Sequence, residues 1–266
     1  MAFLDTLRQR AGQDQLPLRV VLKEALQVYT LAALYGQPAS DRITFQGGTC
    51  LRLVYGGPRY SEDVDFVTTL SNADLADLFE PVHREVARLS PLLGNEITMR
   101  VQKASPEIVR WKVYYQATRQ QDSTSISLEF APYPAYTDRV AVLTPPAGFP
   151  ALPMVVVQAE TLEEIMADKI AAVAGRRYVK GRDIFDLWWL VQKGIGVNME
   201  LVQKKWSDYG IQPERLHQNL PAITPATVRQ EMENFLPHRF RVQLLQQTAL
   251  EAVVGEVKGL LEAVVP

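Results

Sequence analysis

The chain has 266 residues, 47% hydrophobic and 22% charged, enough for a substantial core in one large domain or two moderate ones. A formal charge of −2 excludes a protein that coats nucleic acid through overall positive charge and restricts any such partner to a local basic patch. The single cysteine, Cys50, excludes a disulfide framework and a cysteine metal cluster, and fits a reducing, cytoplasmic compartment.

The opening MAFLDTLRQRAGQDQ lacks the basic region and apolar run of a secretory signal. No stretch approaches the roughly 20 apolar residues of a membrane-spanning helix, so neither export nor membrane contact is expected. From Leu18 to about Tyr35, apolar residues recur at Leu18, Val21, Leu22, Ala25 and Tyr29, which predicts an amphipathic helix. Ile43 and Phe45 alternate with polar neighbours as in a strand. Gly47 and Gly48 break that pattern, and CLRLVY resumes helical spacing until Gly56. VDFV reads as a second strand and Ser71 to Ser90 as a helix. ITMRVQ, IVRWKVYYQA and SISLEF then read as successive antiparallel strands, which makes the sheet mixed.

Between Ala131 and Met154 six prolines, Pro132, Pro134, Pro145, Pro146, Pro150 and Pro153, predict a connecting segment. Beyond it the pattern is helical. Thr161 and Glu164 fit a capping box, and further helices are predicted over Arg182–Gln192, Pro225–Leu236 with Thr224 as cap, and about Phe240–Val264. The fold class expected is α/β (α+β), with residues 1–154 forming a mixed sheet with flanking helices and 155–266 a helical bundle.

A strand that ends in Gly47-Gly48 and leads into a helix presents backbone amides and the Thr49 hydroxyl at a positive helix end, where phosphate is favoured. Strand alternation puts Asp63 and Asp65 on one face while Val64 and Phe66 point into the core. Two adjacent carboxylates call for a cation, and magnesium fits because it takes hard oxygen ligands completed by substrate phosphates. Each element has a plainer reading: a double glycine is often only a turn, and an isolated pair of aspartates is often only solvated. The segment is not a Walker P-loop, since no Lys-Ser or Lys-Thr follows the glycines.

Taken together, Gly47-Gly48-Thr49 followed by Asp63-x-Asp65 resembles the DNA polymerase beta-like nucleotidyltransferases. More narrowly, Gly47-Gly48-Thr49, Leu51, Arg52 and Arg59-x-Ser61-x-Asp63-x-Asp65-Phe66 resemble the AbiEii/AbiGii toxin family of bacterial toxin–antitoxin and phage-defence loci. The likeness continues through Leu162-Glu163-Glu164-Ile165, Ala167-x-Lys169 and Arg182-Asp183-x-x-Asp186-Leu187, and spans roughly Gly47 to Leu190. It implies a nucleotidyltransferase fold in the N-terminal domain, with the helical domain completing the active-site cleft. It also implies two magnesium ions on Asp63, Asp65 and a third carboxylate, for which Glu129 is the candidate beside its reading as a solvated strand residue. The terminal phosphates of a nucleoside triphosphate (NTP) would be gripped by Gly47, Gly48, Thr49, Arg59 and Ser61.

Lys169 lies on the apolar face of its helix and needs an anion. The resemblance implies the triphosphate, and the plain alternative is a snorkelling lysine. Asp183 has a plain explanation in the helix dipole. Asp186, among apolar neighbours, needs a partner such as Lys169 or Arg59, and the resemblance implies a role for it at the site. Arg176, Arg177, Lys180 and Arg182 form a basic cluster that is either a solvated loop or a set of RNA phosphate contacts. His83, His217 and His238 fall in no ligand or triad pattern, and Trp188 and Trp189 read as core. The resemblance implies transfer of a nucleoside monophosphate to the 3′ end of tRNA, growth arrest, and a cognate antitoxin as partner. A protein or small-molecule acceptor, and a non-catalytic nucleotide-binding or interaction module, are the alternatives.

Overall fold

The computed structural model describes residues 3–143, 146, 149 and 154–264. The chain divides into two compact units, Met1–Glu160 and Thr161–Pro266. The first contains α1 (Phe3–Asp14), α2 (Leu18–Tyr35), β1 (Ile43–Gln46), α3 (Gly47–Leu53), β2 (Val64–Thr68), α4 (Asn72–Ala87), the short α5 (Ser90–Leu93), β3 (Glu96–Ser105), β4 (Ile108–Gln116), β5 (Thr124–Ala131), β6 (Asp138–Val142) and β7 (Val156–Glu160).

The seven strands form one sheet in the order β3-β4-β5-β2-β1-β7-β6. β2 runs parallel to β5 and β1 parallel to β7, and the other pairings are antiparallel, so the expected mixed sheet is present. Its order is fixed by an aromatic row on one face. Phe45 pairs with Phe66 and Phe66 with Phe130, with ring centroids 5.7 and 4.9 Å apart. Trp111 of β4 lies 4.6 Å from Phe130 and meets Phe79 of α4 edge-on at 5.4 Å. All four strand aromatics are buried. Removing each from water contributes about 1.5–3 kcal/mol, and each ring pair about 0.5–1.5 kcal/mol more. The helices α2 and α4 cover this face, α2 against β5 and α4 against β3. Period-two alternation leaves the other face polar: in β4, Val109, Trp111, Val113 and Tyr115 are buried, while Arg110, Lys112 and Tyr114 are not.

The second unit contains α6 (Leu162–Gly175), α7 (Gly181–Gln192), α8 (Met199–Asp208), α9 (Arg215–Asn219), α10 (Pro225–Met232), α11 (His238–Leu244) and α12 (Gln247–Val264). Helix α6 packs on α7, α8 and α9, and α7 packs on α10 and α12. The Thr161 hydroxyl caps α6, accepting from the Glu164 amide at 3.4 Å, and Thr224 caps α10, accepting from the Thr227 amide at 3.2 Å.

Several elements differ from expectation. The segment read as a connector contains β6 and is followed by β7, which lies between β1 and β6, so the sheet continues to Glu160 rather than ending near Met154. Pro145, Pro150 and Pro153 lie outside the described residues. Helix α10 ends at Met232, short of Leu236, whose position before Pro237 disfavours helical dihedrals. The long last helix is two, α11 and α12, with Leu245 and Gln246 between them; neither is a helix breaker, and we have no physical account of the break.

Candidate active site

Strand β1 ends at Gln46 and α3 starts at Gly47 with no loop between. Gly47 has φ +76°, a conformation strained for any side chain, and a Cβ there would lie 2.6 Å from Asp65 Oδ2. A Cβ on Gly48 would lie 2.2 Å from Nη2 of Arg59. The glycine pair is therefore the surface against which a carboxylate and a guanidinium both rest. Arg59 is 4% exposed and donates from Nη1 to the Tyr60 carbonyl at 3.0 Å.

Thr49 is fully buried, and its hydroxyl donates to the Asp63 backbone carbonyl, tying the first turn of α3 to the residue that precedes β2. Asp63 Oδ1 accepts from the Ser127 amide of β5 at 3.2 Å. Pairing sets Asp65 between Gln46 and Glu129, and Glu129 beside Arg110. Directly paired residues share a face, so one row across four strands reads Gln46, Asp65, Glu129, Arg110. Arg110 Nε lies 2.8 Å from Glu129 Oε1 with both side chains partly exposed.

The loop that returns from α3 to β2 is anchored by a buried ionic network absent from the sequence reading. Arg52 donates to Glu24 and, at 3.0 Å, to the Pro58 carbonyl, and its Cζ lies 3.7 Å over the Tyr60 ring. Glu24, 1% exposed, also meets Arg10 at 3.0 Å, and the Tyr60 phenol donates to Asp14 at 2.7 Å. Burial, reinforced by the Glu24 carboxylate and opposed by Arg52 and Arg10, pushes the Tyr60 phenol well up, so it remains a neutral donor. Gln27 donates to the Ser61 carbonyl at 3.0 Å and fixes Ser61, which is buried. The available signal was Glu24 itself, an acid in the otherwise apolar run of α2. Burial, with the Glu160 carboxylate adding to it, pushes the Cys50 thiol well above its ordinary range.

In the helical unit, Lys169 is 9% exposed and its amine lies 2.7 Å from Asp186 Oδ2 and 3.0 Å from Asp183 Oδ1. Asp183 also accepts from Arg176. The snorkelling alternative for Lys169 is thereby overturned, and Asp183 has an ionic role beyond the helix dipole. The sequence reading missed a second buried ionic group, between α8 and α6: Lys205 of α8, 1% exposed, meets Glu164 at 2.7 Å and Asp168 at 3.0 Å, both of α6, and Tyr209 donates to Asp168 at 3.1 Å. Of the basic cluster, Arg176 faces Asp183 and Arg182 faces Glu231 at 3.9 Å, Lys180 is half-buried, and Arg177 is exposed. His217 and His238 are exposed and His83 half-buried, 3.6 Å from Glu80; Trp189 is buried and Trp188 half-buried.

Residues 30–253 match the sequence profile of the nucleotidyl transferase AbiEii toxin family, a type IV toxin–antitoxin system. The chain belongs to the AbiEii family. The match takes in the glycine turn, both aspartates and the Lys169 cluster, so the AbiEii chain is a toxin-type nucleotidyltransferase. Its fold is shared with solved structures of low sequence identity. MenT4, a nucleotidyltransferase toxin of Mycobacterium tuberculosis H37Rv, superimposes with a TM-score of 0.64 at 20% identity, covering 96% of this chain and 89% of that one. JHP933 from Helicobacter pylori gives 0.53 at 19%, covering 94% and 93%. A nucleotidyltransferase structure from H. pylori, described as putative, gives 0.52 at 18%, covering 94% and 96%. A search of curated protein sequences returned no significant match.

Proposed function

We propose that this AbiEii chain transfers a nucleoside monophosphate from an NTP to the 3′ end of tRNA, arresting growth in the cytoplasm unless a cognate antitoxin restrains it. The observation that carries the transfer chemistry is the row in which Asp65 and Glu129 sit side by side on parallel strands, next to Asp63 and the glycine turn. These oxygens fit magnesium, and no soft ligand stands among them. When bound there, the metal would activate the acceptor hydroxyl and offset charge on the leaving oxygen.

The chain's own residues do the rest. Asp63, held by the Ser127 amide, and Asp65, packed on Gly47, are the proposed ligands, with Glu129 as the third. Gly47, Gly48, Thr49, Arg59 and Ser61 are proposed to hold the outgoing pyrophosphate. The Thr49 hydroxyl proton already serves the Asp63 carbonyl, so Thr49 would contribute its place in the first turn of α3 rather than a hydroxyl donor, while Arg59 would supply the charge. Lys169 is proposed as a further triphosphate contact that Asp186 orients, and the phosphate role for Arg176, Arg177, Lys180 and Arg182 rests chiefly on the exposed Arg177.

Incubating the protein with each labelled NTP, magnesium and total cellular RNA, beside the Asp63→Ala, Asp65→Ala double variant, tests the reading. Label on tRNA with the intact protein alone is the expected result. Label on a protein band or a small molecule, with RNA unlabelled, overturns the tRNA acceptor; nucleotide binding with no transfer to any acceptor overturns the enzyme.

A further inference from the structure

We propose that the polar face of the sheet across β3, β4 and β5 is a track that binds the single-stranded 3′ segment of the RNA acceptor and leads it to the carboxylate row. This rests on the nucleotidyl-transfer reading of the same site. The row that holds Asp65 and Glu129 continues through Arg110 to Lys103. The next row, one pleat away, is Ser127, Lys112 and Arg100, and the one after it Ser125, Tyr114 and Thr98. A register shift between Val101 and Lys103 brings Lys103 onto the same side as Arg100, which strict alternation would not do.

Four cations therefore share one face of three strands in a chain whose net charge is −2. The opposite face is filled by Trp111, Val113 and Phe130, so these cations cannot be there to serve the core. Within β3, β4 and β5 no acid stands in the second or third row: Asp63 of the carboxylate site adjoins the second at Ser127, Glu107 lies in the β3–β4 turn near Lys103, and Glu96, paired with Gln116, is at the far end of β3. Arg100 and Lys103 are exposed, and Lys112, Arg110 and Tyr114 half-exposed. The Tyr114 ring has Lys112 Nζ 5.5 Å and Arg100 Cζ 5.9 Å from its centroid. An aromatic ring flanked by cations on an open sheet is the pairing that binds single-stranded nucleic acid, cations on the backbone and the ring under a base. It also answers an electrostatic need. A carboxylate cluster repels a polyanion, and Arg110, already on Glu129, begins a positive path toward it.

The test is binding of a short 5′-labelled single-stranded RNA, read by fluorescence anisotropy over a range of salt, with no turnover required. Arg100→Glu with Lys112→Glu is expected to weaken binding by about tenfold or more and to flatten the salt dependence by roughly 0.7 in slope per cation lost. Tyr114→Ala weakens binding about tenfold and Tyr114→Phe restores it. NTP affinity stays at the wild-type value in all of them. The neutral pair Arg100→Gln, Lys112→Gln decides the matter if charge reversal lowers the melting temperature. Wild-type affinity and slope in these variants overturns the track, as does no RNA binding by the intact protein at low salt. Equal binding of poly-glutamate, insensitive to Tyr114→Ala, makes the face a general acidic-segment site and also overturns it. Track-dependent binding without nucleotide transfer refutes transfer to RNA and leaves the track standing.

Discussion

At the scale of single residues, the glycine turn and the buried lysine make opposite demands. Gly48 is defined by what leans on it: alanine there puts a carbon 2.2 Å from Arg59 Nη2, and a guanidinium on a flexible stem moves sooner than backbone does. Gly48→Ala is therefore expected to cost only about 1–3 kcal/mol of stability, within the range for overpacking. Because Arg59 is displaced, KM for NTP should rise by about tenfold or more, and steady-state kinetics beside a thermal melt separates the two effects. An unchanged KM would remove Arg59 from the phosphate site. Lys169 is the converse case. With Asp183 and Asp186 both nearly fully buried around it, Lys169→Met removes the cation between two buried carboxylates, of which Asp183 keeps Arg176, and should destabilise the protein by about 3 kcal/mol in denaturant unfolding. Lys169→Arg keeps the charge, so a fall in NTP affinity in that stable variant marks Lys169 as a triphosphate contact, and wild-type affinity marks it as a structural ion pair alone.

At the scale of elements, the parts legible in the sequence are those whose own residues carry the signal. Helix α2 shows its apolar period over five turns, and β4 and β5 alternate so regularly that the side on which Glu129 points could be read directly. The Gly47-Gly48-Thr49 and Asp63-x-Asp65 elements were legible because conformation and chemistry coincide in them. What was not legible depends on partners distant in sequence. β6 has four exposed residues of five and becomes a strand only through its pairing with β7. The Arg52–Glu24 and Lys205–Glu164 pairs join residues 28 and 41 positions apart, and no local pattern announces them. The basic face went unread: Arg110, Lys112 and Tyr114 lie in a segment read only as an alternating strand, and their meeting with Arg100 and Lys103 needs the strand register. Elements whose ends are set locally should respond locally. Ser71 caps α4 in a reciprocal box with Asp74, so Ser71→Ala should cost about 1 kcal/mol. Gly255 lies in the middle of α12 with nothing within 4 Å of a built Cβ, and Gly255→Ala should gain about 0.5–1 kcal/mol. Urea unfolding of both variants checks the signs, and a loss from Gly255→Ala would mean that α12 needs that glycine for packing.

At the scale of the whole molecule, the near-neutral total conceals a separation: acids gathered at Asp63, Asp65 and Glu129, cations spread over the neighbouring strands. Under the proposed function a divalent ion and its nucleotide would bind at these carboxylates, so ligand binding should appear as stability of the sheet unit. Cys50 allows that unit to be followed by itself. It is the chain's single cysteine, fully buried on α3 beside the glycine turn, with a thiol pushed upward by burial, so it should react with a thiol reagent only when the sheet unit opens. Magnesium with a non-hydrolysable NTP analogue at about 100 times its Kd adds roughly 2.7 kcal/mol to the folded state. For a protein of this size that raises the midpoint of heat-induced thiol exposure by about 5–10 °C. Chelating the metal should abolish the shift, and so should Asp65→Asn, which removes one metal-binding charge while keeping the side chain's shape against Gly47. A shift that survives in Asp65→Asn at its wild-type size places the metal and the nucleotide somewhere other than the Asp65–Glu129 row.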